Sequence, residues 1–299
     1  MKRFAMILIL AGLLALTACG GRSLLTEERN GAVTVKTVEG EASSLEIKDV
    51  VLARGLSTGG PRVVLASDGG KARVELEGPS DLLENVKTVF SGKQLKITTD
   101  PVRIYRIPDD LTIRLYNYDF DTLHFAGACR VEADEGLGAP AGQESSGRKL
   151  EIHLSGASSL VASAVRAGSL AMDFSGASSF TADLIECGTW KQDASGGSAV
   201  TVGECRATGE TRWYLSGASR LTAAGKGTDL FAVLSGASAV TAPDFEFNKA
   251  TLTLSGAAIL DCWVTQLLGG SITGASKVYY KGDPSLAAHT GSSSLLQKR

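Results

Sequence analysis

The chain has 299 residues, with 30 lysines and arginines against 32 aspartates and glutamates, a formal charge of −2. Without a basic surplus it is not built to hold nucleic acid, and with 43% hydrophobic residues it is too apolar to stay disordered. Its 35 glycines and only 6% aromatic residues point to repetitive β structure made of small side chains.

The N-terminus reads Met1-Lys2-Arg3, then an apolar run over residues 4–16, then Thr17-Ala18-Cys19, the three regions of an export signal in order. The run is too short to span a bilayer. A small residue before a cysteine at the end of such a run resembles the lipobox of bacterial lipoproteins. That resemblance implies that Cys19 is acylated and becomes the mature N-terminus. Several acyl chains, each worth ~0.8 kcal/mol per buried methylene, anchor a protein durably. An ordinary cleaved signal with a chance cysteine is the alternative. Removing residues 1–18 takes away Lys2 and Arg3 and no acidic residue, so the mature chain carries four net negative charges.

Residues 19–31 read as a polar tether and residues 32–115 as an N-terminal β section without a repeat. Strands are expected near 62–66, 72–77, 95–99 and 111–115, with one helical turn at 81–84. Residues 116–299 carry the repeats. Leu154-Ser155-Gly156-Ala157-Ser158 recurs as Phe174-Ser175-Gly176-Ala177-Ser178 and as Leu215-Ser216-Gly217-Ala218-Ser219. Looser copies begin at Ser195, Ser235, Ser255 and Thr273, so successive motifs lie 18 to 21 residues apart. A weaker copy at Ala126-Gly127-Ala128-Cys129 precedes an insert over 132–148, which makes eight candidate coils.

Within each unit apolar residues alternate with polar ones, as Leu150, Ile152 and Leu154 do with Glu151 and His153, the pattern of a half-buried strand. After each corner an apolar residue returns at a fixed offset and should point inward: Leu160, Phe180, Val200, Leu221, Val240, Leu260 and Val278. A twenty-residue unit cannot close a core alone, so stability must come from stacking equivalent strands ~4.8 Å apart. The expected fold is all-β, a parallel β-helix (solenoid) of about seven to eight coils, capped by the N-terminal β section and, at the other end, by residues 279–284 and the last strand-like stretch. Glycine suits the corner because the chain must turn there with positive φ while successive corners pack closely. The motif serines are expected to bond corner backbone groups that no strand partner reaches.

Outward positions two before each motif stack as His124, His153, Asp173, Asp193, Tyr214, Val233, Thr253 and Ser271. Two histidines beside two aspartates have the donor chemistry of a divalent metal site; the alternative is a solvated charge ladder. Tyr214, Phe231 and Val233 make an apolar spot on the same wall, either a contact site or the bed of a terminal segment. Cys187 and Cys205 occupy similar places in adjacent coils, either as a disulfide or as two buried thiols. Asp119 and Asp121, with Asp109 and Asp110, suggest calcium only weakly, since no glycine-bearing loop accompanies them. Trp190, Trp213 and Gln192 fall at inward phases.

The signal and lipobox, Ala72-Arg73-Val74-Glu75-Leu76, Gly92-Lys93-Gln94-Leu95-Lys96-Ile97, the repeated Leu-Ser-Gly-Ala-Ser and the Tyr280-Lys281-Gly282-Asp283-Pro284 ending together resemble the head GIN domain family. Its members are also called auto-transporter adhesins and are common among lipoproteins of Bacteroidetes. The resemblance runs from about Val35 to the C-terminus, departs at the 132–148 insert, implies a β-helical fold in the cell envelope, and carries over no catalytic residue. The expected function is a non-enzymatic envelope lipoprotein, with no cofactor beyond the lipid on Cys19. It would present a binding or adhesion surface to a glycan, an envelope protein or another copy. A β-helical polysaccharide lyase or hydrolase and a purely structural envelope spacer are the alternatives. Gly20 and Gly21 carry no inner-membrane retention signal, so the outer membrane is the expected site, on its periplasmic or exterior side.

Overall fold

A computed structural model describes residues 25–28, 33–48, 50, 52–54, 57–99, 103–106, 111–143 and 145–299. Cys19, Asp109 and Asp110 lie outside these residues. The chain winds as a three-sided parallel solenoid. On the first side His124 lies opposite His153, which lies opposite Asp173, and the series continues through Asp193, Tyr214, Val233, Thr253 and Ser271. The second side sets Val131, Leu160, Phe180, Val200, Leu221, Val240, Leu260 and Val278 in one column, every one buried. Leu137, Val165, Ile185, Cys205, Gly225 and Phe245 form the third. Period-two alternation therefore becomes an inside and an outside on all three walls.

The corner between the first two sides explains the motif. Gly127, Gly156, Gly176, Gly196, Gly217, Gly236, Gly256 and Gly274 all have φ between 67° and 98°. The amide after each glycine from Gly156 to Gly256 donates to the glycine carbonyl one rung below, as Ala177 N does to Gly156 O at 2.7 Å. The second serine of the motif points inward and is buried. In three coils its hydroxyl donates to the first serine's carbonyl in its own turn, from Ser198 to Ser195 O, at 2.6 Å from Ser219 to Ser216 O and at 2.9 Å from Ser238 to Ser235 O, whereas the Ser158 and Ser276 hydroxyls are buried without a partner. Cys129 and Ala258 replace it in two coils. Repeats of unequal length keep their corners aligned because the difference is absorbed by register shifts elsewhere, at 202–205, 222–225 and 242–249.

The N-terminal section departs from sequential stacking. Strand Ser44–Ile47 lies between Gln94–Thr99 and Thr122–Phe125, and Arg62–Ala66 lies between Thr112–Tyr116 and Arg130–Ala133. Two rungs of the solenoid are thus laid down out of order, the later one on the outside. Beyond them, Arg73–Pro79 and Val33–Glu39 pair antiparallel on one side and Val86–Ser91 on another. The helical turn Ser80–Leu83 buries Leu82 and Leu83. The stretch expected to be a tether includes a strand, Leu25–Glu28, parallel to Arg103–Arg106.

The insert leaves the first coil in register, since Val131 still meets Leu160 and Leu137 meets Val165; its surplus follows Gly138, where residues 139–143 and 145–148 form no strand. At the C-terminus Lys277–Lys281 still belongs to a coil, and the stretch after Pro284 covers it. A further rung, Ser285–Thr290 and Leu295–Lys298, stacks on top. Leu286 continues the inward column of Leu268 yet is 53% exposed, because among the described residues no rung covers it.

Trp190 and Trp213 are core residues, as their phase predicts, with ring centroids 5.5 Å apart. Gln192 is fully buried between Met172 and Trp213; its Nε2 donates to Asp193 O at 3.0 Å, while its Oε1 has no partner. A buried unpaired amide oxygen costs roughly 1–3 kcal/mol. Gln192→Met, similar in shape and apolar, is therefore expected to raise stability by about 1 kcal/mol, read as a higher urea midpoint at constant slope.

Candidate functional site

Three outward walls and one lateral recess are the surfaces available for chemistry. On the first wall the His-Asp series is in register, but it does not converge. His153 stands 4.0 Å from the Asp173 carboxylate and 3.9 Å from Glu151, while Asp193 is taken by Lys191 at 2.5 Å. Among the described residues no group of three or more His, Cys, Asp or Glu side chains is arranged to hold a metal ion. The metal reading of His124, His153, Asp173 and Asp193 is thereby corrected. Side chains on successive rungs of a flat sheet run parallel, a rung apart, where a metal needs them to meet at about 2 Å from one point. The His124 and His153 rings lie 5.6 Å apart. Burial first, then the neighbouring His153, holds the His124 imidazole below its ordinary 6.5.

Further up the same wall, Tyr214 and Phe231 sit with ring centroids 5.9 Å apart, and Val233 follows Tyr214 in register. All three are half-buried. Lys191 Nζ lies 5.7 Å from the Tyr214 ring centroid. Beside them is a shallow recess of about 220 Å³ lined by Asp173, Asp193, Tyr214, Val233 and three motif serines, Ser195, Ser216 and Ser235.

The third wall is a ladder of charges. Arg166 and Arg206 flank Glu186 at 2.8 and 2.9 Å, and Arg206 also meets Glu204 at 2.9 Å. The hydrogen bond from Arg166 holds the Glu186 carboxyl below its ordinary 4.5. A carboxyl depressed by folding stabilises the folded state above 4.5 and loses that contribution as pH falls through its folded value. Glu186→Gln should therefore destabilise by less than about 1 kcal/mol at pH 7, as exposed pairs do. Melting curves of the two proteins should converge below 4.5.

Cys187 and Cys205 are buried thiols, not a disulfide. Register explains why their places are not equivalent: Cys187 lies opposite Ala207 and Cys205 opposite Ile185, so the two meet diagonally across rungs. The hydrogen bond shared with Cys187, together with burial, favours the protonated Cys205 thiol and pushes it far up, and burial pushes Cys129 and Cys262 up to about 12. Thiols so raised stay protonated and serve as packing.

The lateral recess was not legible in the sequence beyond its one signal, the insert. After Ala66 the chain leaves the solenoid for an antiparallel strand, so the third wall has a gap beneath Leu137–Gly138. The link 117–121 crosses that gap, and the loop after Ala133 overhangs it. Between them lies a recess of about 610 Å³. Tyr118 and Phe120 stack at 4.9 Å, and Arg148 bonds Asp119 Oδ2 at 3.0 Å and the Phe120 carbonyl at 3.4 Å. Asp119 is thus engaged by a guanidinium, which corrects its reading as a calcium ligand; Asp121 uses its backbone amide, bonded to Ser43 O at 2.7 Å. Burial pushes the Tyr118 hydroxyl up to about 12, so it remains a proton donor.

Among the described residues no helix is long and apolar enough to cross a membrane. Among solved structures the chain is similar to one described as a "putative adhesin" from Parabacteroides merdae, at 11% identity and a TM-score of 0.67, over 92% of this chain and 99% of that one. It is also similar to a "putative adhesin" from Parabacteroides distasonis, at 12% identity and a TM-score of 0.60, over 92% and 100% of the two chains. A "putative lipid binding protein" from the same species has 13% identity and a TM-score of 0.62, over 92% and 100%. At such identities the likeness is one of fold. No curated protein matches. The family described as "Putative auto-transporter adhesin, head GIN domain" matches residues 55–284, a span that holds strands Arg62–Ala66, Gln94–Thr99 and Thr112–Tyr116 of the out-of-order rungs, all eight glycine corners and the closing Gly282-Asp283-Pro284, and the chain belongs to that family.

Proposed function

We propose that this chain is a non-catalytic lipoprotein of the bacterial cell envelope, anchored in the outer membrane through acyl groups on Cys19. Its first wall presents a rigid binding or adhesion surface to a glycan or to another envelope protein. The observation that carries this reading is Tyr214, Phe231 and Val233 on neighbouring rungs, beside carboxylates and a lysine, on a wall that stacking holds flat. Aromatic side chains ringed by polar ones are the composition of contact sites. Nothing in that column brings a nucleophile, a base and an orienting group together, as catalysis requires.

The test uses the full-length protein on cells. Tyr214→Ala with Phe231→Ala should abolish adhesion to immobilised glycan or to envelope protein while the melting temperature holds, and Cys19→Ser should move the protein into the soluble fraction. Unchanged adhesion would count against the wall. Fresh reducing ends or unsaturated products from a glycan panel would replace this reading with a polysaccharide-active enzyme.

A further inference from the structure

The last rung presents an open sheet edge. Strands Ser285–Thr290 and Leu295–Lys298 pair below with residues 267–272 and 277–280, and among the described residues no strand pairs with their other side. The amides of Gly291, Leu295 and Arg299 donate downward, to Ile272 O at 2.8 Å, Ser276 O at 3.0 Å and Tyr280 O at 2.8 Å. Backbone groups alternate in direction along a strand, so the amides of Leu286, Ala288, Thr290, Leu296 and Lys298 point the other way, out along the axis. Leu286, Ala288 and Leu296 also continue the inward columns of the rung below, and Leu286 is exposed. The corner changes here as well. Register sets Ser292 over Gly274, and Ser292 does not take the positive φ of the eight glycine corners.

Folded proteins guard such edges with charges, prolines, bulges or a covering segment. The N-terminal end of the solenoid is guarded. There the helical turn Ser80–Leu83 packs on Arg73–Pro79 and Val33–Glu39, and the outer strands carry Lys36, Glu39 and Lys87. Of the ten residues in the two C-terminal strands, only Lys298 carries a full charge. An edge of this kind best fits another edge of the same kind.

We propose that the C-terminal rung docks end to end on a second copy of this chain, about a two-fold axis at the 291–294 corner. That axis lays Ser285–Thr290 of each copy antiparallel along Leu295–Lys298 of its partner, so both strands gain a neighbour and the open columns cover one another. Charges agree with it. Lys298, at the end of its strand farthest from the axis, comes beside the partner's Asp283, and the Asp283 side chain is 91% exposed. At the axis a glycine and three serines meet, with no like charges. Two short ladders make a small contact, of the class of weak and transient complexes. A two-fold contact closes on itself, so assembly stops at the dimer. The edge is separate from the Tyr214 wall and stands or falls independently of it.

Sedimentation equilibrium of the full chain, kept soluble by Cys19→Ser, should show a reversible monomer–dimer equilibrium with no larger species. Amide hydrogen exchange at Leu286, Ala288, Leu296 and Lys298 should slow at least tenfold from dilute to concentrated protein, with no change in Val33–Glu39. Leu286→Lys adds a guarding charge to the edge, and Ala288→Pro removes an outward amide without removing a hydrogen bond to the rung below. Each should raise the dissociation constant tenfold or more. Leu286→Lys should leave the melting temperature of the dilute monomer unchanged, because the residue is exposed there; that separates lost docking from lost folding. A monomer at every concentration, polymers in place of a dimer, or full association of Leu286→Lys would overturn the proposal. So would a dimer whose edge amides exchange as fast as the monomer's, since its contact would lie elsewhere. Edge amides already slow in the dilute monomer would also overturn it, because a different segment would then occupy the edge.

Discussion

Gly176→Ala is expected to destabilise the protein by more than about 3 kcal/mol, whereas Gly69→Ala should cost only about 1–2 kcal/mol, the price of a left-handed φ alone. The two glycines have nearly the same backbone, φ 73° and 74°. Their surroundings differ. A Cβ at Gly69 meets nothing within 4 Å, but at Gly176 it would stand 2.5 Å from the carbonyl oxygen of Gly156. That oxygen accepts from Ala177 N, so it cannot retreat without breaking the corner ladder. Neighbouring corners repeat the contact, with 2.4 Å at Gly156 and 2.6 Å at Gly196. The same alanine at any of them should therefore have a similar effect. Denaturant melts of the two variants beside the parent protein measure the difference, and equal losses would mean that the rungs are not stacked as described.

Trp213→Ala should cost about 3–5 kcal/mol, as removal of a large buried ring does. Trp213 is fully buried against Trp190 at 5.5 Å, Phe245 at 5.8 Å and Phe247 at 5.6 Å. No rearrangement of one rung can refill such a space, because each wall is fixed by hydrogen bonds to the rungs above and below. Tyr214→Ala, one residue on and facing out, should change stability by less than about 1 kcal/mol. The contrast between adjacent residues tests the assignment of inside and outside directly. If the two substitutions cost the same in thermal unfolding, the alternation is misplaced on this strand.

Much of this was legible residue by residue. The inward column from Leu160 to Val278 followed from spacing alone, and so did the burial of Trp190 and Trp213, because side-chain direction in a strand depends only on parity. The glycine corners followed from a backbone conformation that glycine adopts and other residues resist. The first wall's series from His124 to Ser271 was also readable, since a regular period places equivalent residues in line. What that series could do was not. Whether His153 and two aspartates converge on a metal depends on the rung-to-rung offset and on Lys191, which reaches Asp193 from the neighbouring column. The Cys187 and Cys205 relation turned on a two-residue register difference that similar flanking residues concealed.

The amino-acid sequence by itself determined the coil, its corner and which face of each strand is wet, since these are local properties that every twenty-residue unit repeats. Only the tertiary structure decided that strands Gln94–Thr99 and Thr112–Tyr116 lie outside Ser44–Ile47 and Arg62–Ala66, that the chain leaves a gap in the third wall, and that Tyr118 and Arg148 line one recess there. Those features come from strands far apart in the chain choosing one another as neighbours. A pairing between distant segments leaves no period for a sequence to display.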